Sequence, residues 1–331
     1  MYGWAVDKGY RNMNDIKFEL SGRRVWVAGH RGMVGSALVR LLNKHDCAVL
    51  TVNRSELDLR RQADVEQWMG KYKPEVVIIA AATVGGIFAN DTRPAEFLYD
   101  NLAIETNIIH ASRVLDIRKL MLLGSTCIYP RLAEQPMKEG ALLTGALEPT
   151  NQWYAIAKIA GIKLCDAYRK QFGCSFISAQ PTNLYGPGDN FDLSSSHVLP
   201  ALMRKVHEAK KRQADWVEVW GTGLPLREFL HVDDLARALI FLIENYDAAG
   251  HVNIGSGEEI SISELAKMVA TTVGYKGQFR FLSEKPDGMP RKLADTTKLN
   301  NLGWNPEISL VDGLLSTYKW YNEQYGSGSR T

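Results

Sequence analysis

The chain has 331 residues, with 39 Lys and Arg against 37 Asp and Glu and a formal charge of +2; this suits one large α/β domain or a main domain with a smaller lobe, and argues against a nucleic-acid-coated or membrane-surface protein. No apolar run reaches the roughly 18 residues that span a bilayer, and the opening 22 residues carry Asp7, Asp15 and Glu19 without an apolar core, so residues 1–21 are expected to be a poorly specified extension and not a secretory signal. Cys47, Cys127, Cys165 and Cys174 form no CxxC pair and the seven histidines no HxxxH or HExxH, so the expectation is a reducing, cytoplasmic setting and no metal.

Residues 24–29 read as a strand, 36–44 as a helix, 48–53 as a strand, 62–71 as a helix and 75–82 as a third, continuously apolar strand. A long helical stretch over 94–115 leads to a short apolar strand, 119–124, closed by glycine. Repeated βα units imply a doubly wound parallel sheet covered on both faces. Later, PTNLYGPGDNFD (181–192) reads as a loop and 199–211 as a helix with its basic residues outward. SISE (261–264) is a capping box opening a helix that runs to Val273, and EKPDGMPRK (284–292) is a breaker-rich surface loop. The expected organisation is a cofactor domain over 22–182 and 230–256, a smaller α/β substrate lobe over 183–229 and 257–326, and a tail from 327 to 331.

GHRGMVG (29–35) joins the first strand to the first helix and spaces Gly29, Gly32 and Gly35 as GxxGxxG, a variant of the Rossmann dinucleotide fingerprint. Such a loop needs a tight turn, close backbone approach to a pyrophosphate and close helix packing. Its anion rests on free amides at the helix start. The second strand ends in VNRSELDL, where an acidic residue would accept from an NAD ribose. Arg54 stands there instead, nineteen residues after Gly35, and with Arg31 it suits the 2′-phosphate of NADP. The alternative leaves Arg54 solvated and gives the ribose to Glu56 or Asp58.

TNQWYAIAKIAGIKLC (150–165) sets Tyr154 and Lys158 four apart on one helix face, where an ammonium would lower the phenol's pKa and hold a ribose hydroxyl. Ser125, in GSTCIYP (124–130), can hydrogen-bond the same substrate oxygen. Hydride transfer to a ketone requires such a set. If the strand continues through Cys127, the Ser125 hydroxyl and Cys127 thiol face one space; a lone strand cysteine is otherwise a small buried hydrophobe.

The chain resembles the extended short-chain dehydrogenases/reductases that modify nucleotide-linked sugars. GHRGMVGSA, AAATVGGI, GSTCIYP, EPTNQWYAIAKIAGIKLC, PTNLYGPGDNF, SHVLPAL, WGTGLPLREFLHVDDLA and KPDGMPRK occur in order within residues 23–322. The resemblance is to members that epimerise C3 and C5 of GDP-4-keto-6-deoxy-D-mannose and then reduce C4 with NADPH, giving GDP-L-fucose. It implies that Ser125, Tyr154 and Lys158 form a reductase triad and that Cys127 and His197 are the epimerase base and acid. It implies an NADP site from Gly29, His30, Arg31, Gly32, Met33, Val34, Gly35, Arg54, Leu123, Gly124, Ser125, Thr126, Lys158, Pro181, Thr182, Asn183, Leu184 and His197. Lys205, Trp220, Arg227 and Asp287 would contact the GDP-sugar, and the helices at 94–115 and 152–172 would pair across the two-fold axis of a homodimer.

The chemistry gives the thiol a purpose. C3 and C5 both adjoin the C4 ketone, so removing either proton puts charge on O4, the oxygen held by Ser125 and Tyr154. A base and an acid on opposite ring faces remain to be supplied. The thiolate would need support from His197 or from the cofactor's nicotinamide; His197 could otherwise simply cap the helix at 199. Trp220 either stacks on guanine or fills the lobe's core. Three positions depart from the family's usual residues: Lys205 for arginine, which gives up bidentate geometry, Thr83 for lysine and Thr126 for serine. Two other functions fit the motifs: an NAD-dependent nucleotide-sugar 4-epimerase, which has no need of Cys127 and His197, and a cofactor-sensing binding protein on the same scaffold.

Overall fold

The structure is a computed structural model that describes residues 17–285 and 287–326. The expected tail at 327–331 and most of the expected extension at 1–21 lie outside the described residues. The end of that extension is a correction: Leu20 is buried, and Phe18 N–H donates to Glu244 O at 2.7 Å. Its apolar side chains give it a place on the core.

In the first half, β1 (Arg24–Ala28), α1 (Met33–Leu42), β2 (Ala48–Leu50), α2 (Gln62–Tyr72) and β3 (Val76–Ile79) alternate, followed by α3 (Ile87–Thr92), α4 (Pro94–Val114), β4 (Lys119–Leu123), α5 (Gln152–Phe172) and β5 (Phe176–Pro181). The second half contributes β6 (Asn183–Tyr185), α6 (Val198–Lys211), β7 (Trp216–Trp220), β8 (Leu226–His231), α7 (Val232–Asn245) and β9 (His251–Ile254). It ends with β10 (Glu259–Ser261), α8 (Ile262–Val273), β11 (Gln278–Leu282), β12 (Arg291–Lys292), α9 (Thr297–Asn301) and α10 (Leu310–Tyr321).

Six strands form one parallel sheet in the order β2-β1-β3-β4-β5-β9. Every residue of β3 and β4 is buried, as expected of strands covered on both faces. One apolar layer, including Leu38, Ile78, Leu239 and Ile243, lies under α1 and α7; the other, including Trp26, Ile79, Ile108 and Ile162, lies under α2, α4 and α5. The chain leaves β1 toward β2 on one side and returns to β3 on the other. The carboxyl ends of β1 and β3 therefore flank a topological switch point, where open α/β sheets bind ligands.

Beyond the sheet, β8 is joined by β10, β12 and β6, while β7 pairs with β11. A third core, with Met203, Val206, Leu265 and Leu314, lies beneath α6, α8 and α10. Ser261 and Glu264 make the expected capping box of α8. Two expected loops contain strands. Asn183–Tyr185 pairs in parallel with β8, and at the end of the breaker-rich segment Lys292 is in register with Arg227. Strands this short are specified by a partner far along the chain and leave little local pattern.

Candidate active site

The glycine loop is built as the cofactor fingerprint requires. Gly29 has φ +88°, and a Cβ there would lie 2.6 Å from the Ala81 amide nitrogen. At Gly35 a Cβ would run into the Gly29 carbonyl, so α1 can pack close only on glycine. Gly32 differs: nothing comes nearer to its missing Cβ than 3.5 Å, so its bareness serves approach from outside the fold. The amides of Met33, Val34 and Gly35 open α1 ahead of its first intrahelical acceptor. A cleft of about 240 Å³ begins here, lined by Gly29, His30, Arg31, Gly32, Arg54 and residues 80–83 among others.

Both readings of the ribose end concern charged side chains in or beside this cleft. Asp58 is held by Arg60 through Nε at 3.0 Å and Nη2 at 2.8 Å, and these bonds keep its pKa at about 2. Glu56 accepts from Asn53 N–H at 3.3 Å. Arg31 and Arg54 are exposed and have no hydrogen-bond partner among the described residues. A bare Gly32 and two unengaged guanidiniums fit a dinucleotide that carries an additional phosphate.

At the carboxyl end of β4 the extended-strand expectation is corrected. The strand stops at Leu123, and Thr126–Ile128 is a turn of 3₁₀ helix capped by Ser125, whose Oγ accepts from Cys127 N–H at 3.2 Å. Hydroxyl and thiol are thus neighbours through a turn and not through the pleat. The capping bond uses a lone pair of Ser125, so its O–H can donate, either to Cys127 Sγ or to a substrate oxygen. Gln180 on β5 secures the turn: its Oε1 accepts from Ser125 N–H at 2.8 Å and fills the space where a Gly124 side chain would be.

Tyr154 and Lys158 lie in the first two turns of α5. Lys158 is buried; its Nζ donates to Leu123 O at 2.9 Å and is 5.6 Å from the Tyr154 ring. The expected lowering of the phenol's pKa is corrected. Burial pushes Tyr154 up to about 12, with Cys127 and Glu105 adding to the rise and Lys158 only partly opposing it. Tyr154 therefore stays a proton donor at neutral pH. Cys127 goes the other way. Burial would raise the thiol, but the Lys292 ammonium, 3.3 Å from Sγ, and the bonds to Ser125 and Lys292 bring it below its ordinary value. Lys292 is the thiol's partner among the described residues, a contact the sequence did not suggest.

His197 occupies the N-cap position of α6 without a side-chain capping bond, so its ring is not spent on the helix. Its loop rests on AAATVGGI: Gly86 N–H donates to Ser195 O at 2.9 Å, and a Cβ on Gly86 would meet Ser196 O at the same distance. His197 is exposed at its outer side, but the protein packed around its ring and then the Lys292 charge lower its pKa. Pro181 ends β5 and Thr182 follows it, both buried, with Thr182 N–H donating to Ile254 O at 2.9 Å, and Asn183 Nδ2 donates to Glu228 O at 2.8 Å. Leu184 packs on the main core.

On the lobe, Trp220 is 63% exposed with Lys205 Nζ and Lys285 Nζ each 5.7 Å from its ring, so it does not fill the core. Lys205 also donates to Glu218 O at 3.2 Å. Arg227 is half-buried; its Nη1 bonds only its neighbour Leu226 O, at 2.8 Å. Both Asp287 oxygens hold Thr222, at 2.7 and 2.8 Å, fixing the turn beside Trp220.

Residues 25–255 match the NAD dependent epimerase/dehydratase family. The chain is 57% identical over 300 residues to a GDP-L-fucose synthase of Sinorhizobium fredii, covering 91% of this chain and 96% of that one. It is 58% identical over 299 residues to GDP-L-fucose synthase 1 of Arabidopsis thaliana, covering 90% and 93%. A crystal structure of a Naegleria fowleri GDP-L-fucose synthetase bound to NADP superposes with a TM-score of 0.87 at 29% identity, covering 96% and 99%. The chain belongs to the NAD-dependent epimerase/dehydratase family.

As a member of that family the chain is an enzyme using a nicotinamide cofactor. Sequence reasoning missed three residues that touch its site. Lys292 sits in what reads as a loop, Gln180 in an apolar strand, and Glu105 in a long helix, where it pairs with Lys158 at 2.8 Å. A charged residue on a helix side that must face the sheet was the available signal for Glu105.

Proposed function

We propose that the chain is a GDP-L-fucose synthase, which epimerises GDP-4-keto-6-deoxy-D-mannose at C3 and C5 and reduces it at C4 with NADPH, as a cytoplasmic homodimer. The observation that carries the proposal is the Lys292-supported Cys127 beside Ser125. A nicotinamide enzyme that only moves hydride at C4 has no use for a thiolate there.

In this reading Ser125 O–H and the protonated Tyr154 hold the C4 carbonyl oxygen. Charge developing on it during either epimerisation meets donors already in place, in a site partly closed to water. Cys127, as thiolate beside the Lys292 ammonium, takes the proton from C3 or C5. His197, when protonated, returns one from the opposite face; its lowered pKa makes its imidazolium a willing donor. Bound NADPH supplies the hydride for C4, and Tyr154 then gives its proton to the oxygen. Gly29, Gly32 and Gly35 admit the pyrophosphate, and Arg31 and Arg54 take the 2′-phosphate. Lys158 holds the ribose, and residues 181–184 line the nicotinamide side. Arg227 and Lys205 face the diphosphate, Trp220 offers its ring to guanine, and Asp287 holds the neighbouring turn. Exposed Tyr99, Trp153 and Ile156 on α4 and α5 support pairing of those helices across a two-fold axis.

The test is incubation with GDP-4-keto-6-deoxy-D-mannose and NADPH in deuterium oxide. The expected result is one NADPH consumed per GDP-L-fucose formed, with deuterium at C3 and C5. Reduction without deuterium would make the chain a plain 4-reductase; no net NADPH consumption, with a C4 epimer formed, would make it a 4-epimerase.

A further inference from the structure

Two helices and the sheet meet at a charge that the proposed reaction leaves unexplained. Glu105, on α4, is 1% exposed, and its Oε1 lies 2.8 Å from Lys158 Nζ, whose side chain is 2% exposed. A carboxylate fully removed from water is costly, and one kept there has a partner or a task. Its space is made by α5: a Cβ on Gly161, three residues after Lys158, would overlap Glu105 Oε2 and lie 3.0 Å from Leu122 Cδ2. Glycine inside a helix is less favourable than alanine, so its presence asks for a local reason, and Glu105 supplies one. We propose that Glu105 is a positioning residue for Lys158, a buried counter-charge that holds the ammonium in place and charged, and that Gly161 makes room for it.

The donor count supports this. An ammonium has three N–H groups; one goes to Leu123 O at 2.9 Å, and Glu105 Oε1 lies 2.8 Å from Nζ as a counter-charge without a well-aligned hydrogen bond, so the head is held from two sides and donors remain for a ligand. Alone at this depth a lysine would shed its proton. Burial does pull Lys158 down, yet Glu105, with Tyr154 adding to it, brings the net shift above the ordinary lysine value; burial in turn raises the Glu105 carboxyl, a rise that the Lys158 ammonium 2.8 Å away opposes. Groups facing the pair from the packed elements are Tyr154 on α5 and the Leu123 carbonyl on β4, with Cys165 one helix turn beyond Gly161. The same carboxylate adds to the raised pKa of Tyr154. Glu105 thereby keeps both partners protonated, the lysine as a hydrogen-bonding cation and the tyrosine as an acid.

The proposal rests on Lys158 meeting the cofactor ribose, and its test uses NADPH binding without sugar. Glu105→Gln and Gly161→Ala act on the same contact, the first by removing charge and the second by displacing the carboxylate. NADPH affinity is measured by nicotinamide fluorescence from pH 6 to pH 9.5, relative to wild type at each pH, beside the rate of keto-sugar reduction. Both variants are expected to bind within about threefold of wild type at pH 6. By pH 9 they should be weaker by roughly tenfold or more, the worth of one charged hydrogen bond. The double variant should be no worse than Glu105→Gln, since the two changes break one interaction. A ratio that is constant with pH in both variants, whether near one or uniformly large, overturns the proposal, because a packing defect has no reason to titrate. Should wild type bind NADPH and leave the keto sugar untouched, the proposed reaction fails while the binding profiles still decide the role of Glu105.

Discussion

Cys127 carries the epimerising half of the proposed chemistry, and its usefulness depends on one ammonium. With Lys292 in place the thiol's pKa is lowered, so the base is present above that value and exchange at C3 and C5 falls as pH drops through it. Without Lys292, burial is the largest remaining influence and the titration moves up. Lys292→Met should therefore lose tenfold or more of the deuterium exchange at pH 7, about one order per pKa unit. It should recover on raising the pH, with Lys292→Arg close to wild type at neutral pH. Cys127→Ser should abolish exchange at every pH and leave NADPH binding intact. Arg54 offers a cleaner separation: Arg54→Ala should weaken NADPH by about 2–4 kcal/mol and spare NADH, read by titrating each cofactor. Equal losses would return the ribose to Glu56 or Asp58.

At the scale of elements, the glycine loop makes two alanine substitutions informative because they fail differently. Gly35→Ala forces a methyl into the Gly29 carbonyl and should lower both the melting temperature and NADPH affinity. Gly32→Ala makes only an ordinary contact with the Gly29 carbonyl and should leave the melting temperature within a degree or two while cutting NADPH affinity tenfold or more. Elements specified by their own residues were legible from sequence: β1, the glycine turn, the α5 face carrying Tyr154 and Lys158, and the capping box of α8. What was hidden depends on distant partners. Lys292 reaches Cys127 across 165 positions of sequence, and β12 exists only as an edge of β8. Gln180 and Glu105 looked like polar interruptions of apolar segments, and only packing reveals what they hold. The 3₁₀ turn at Ser125 shows the limit of periodicity, since two residues two apart can be brought together by a turn as well as by a strand.

For the whole molecule, the buried acids tie folding to pH. Asp189, 8% exposed in the loop after β6, has one oxygen receiving Asn190 N–H at 2.7 Å and the other without a hydrogen-bond partner among the described residues. Burial raises its pKa to about 7. Because the folded value exceeds the unfolded one, folding takes up a proton between roughly pH 4 and pH 7, and the native state is penalised progressively as pH rises through that window. Asp189→Asn should raise the melting temperature at pH 8 and have little effect near pH 4, in calorimetry on the free protein. An equal change at both pH values would assign the effect to packing.

The two-residue strand that delivers Lys292 pairs with β8, outside the main sheet, whereas the sulfur beside it stands at the carboxyl end of that sheet's β4. In the proposed reaction, inversion of ring carbons would be wired through a slender ribbon, while the donors for the carbonyl oxygen would be anchored in the sheet and its covering helix. Loosening that ribbon would strip away epimerisation and spare reduction, so a chain of this architecture could drift into a simple ketone reductase by altering a single edge strand.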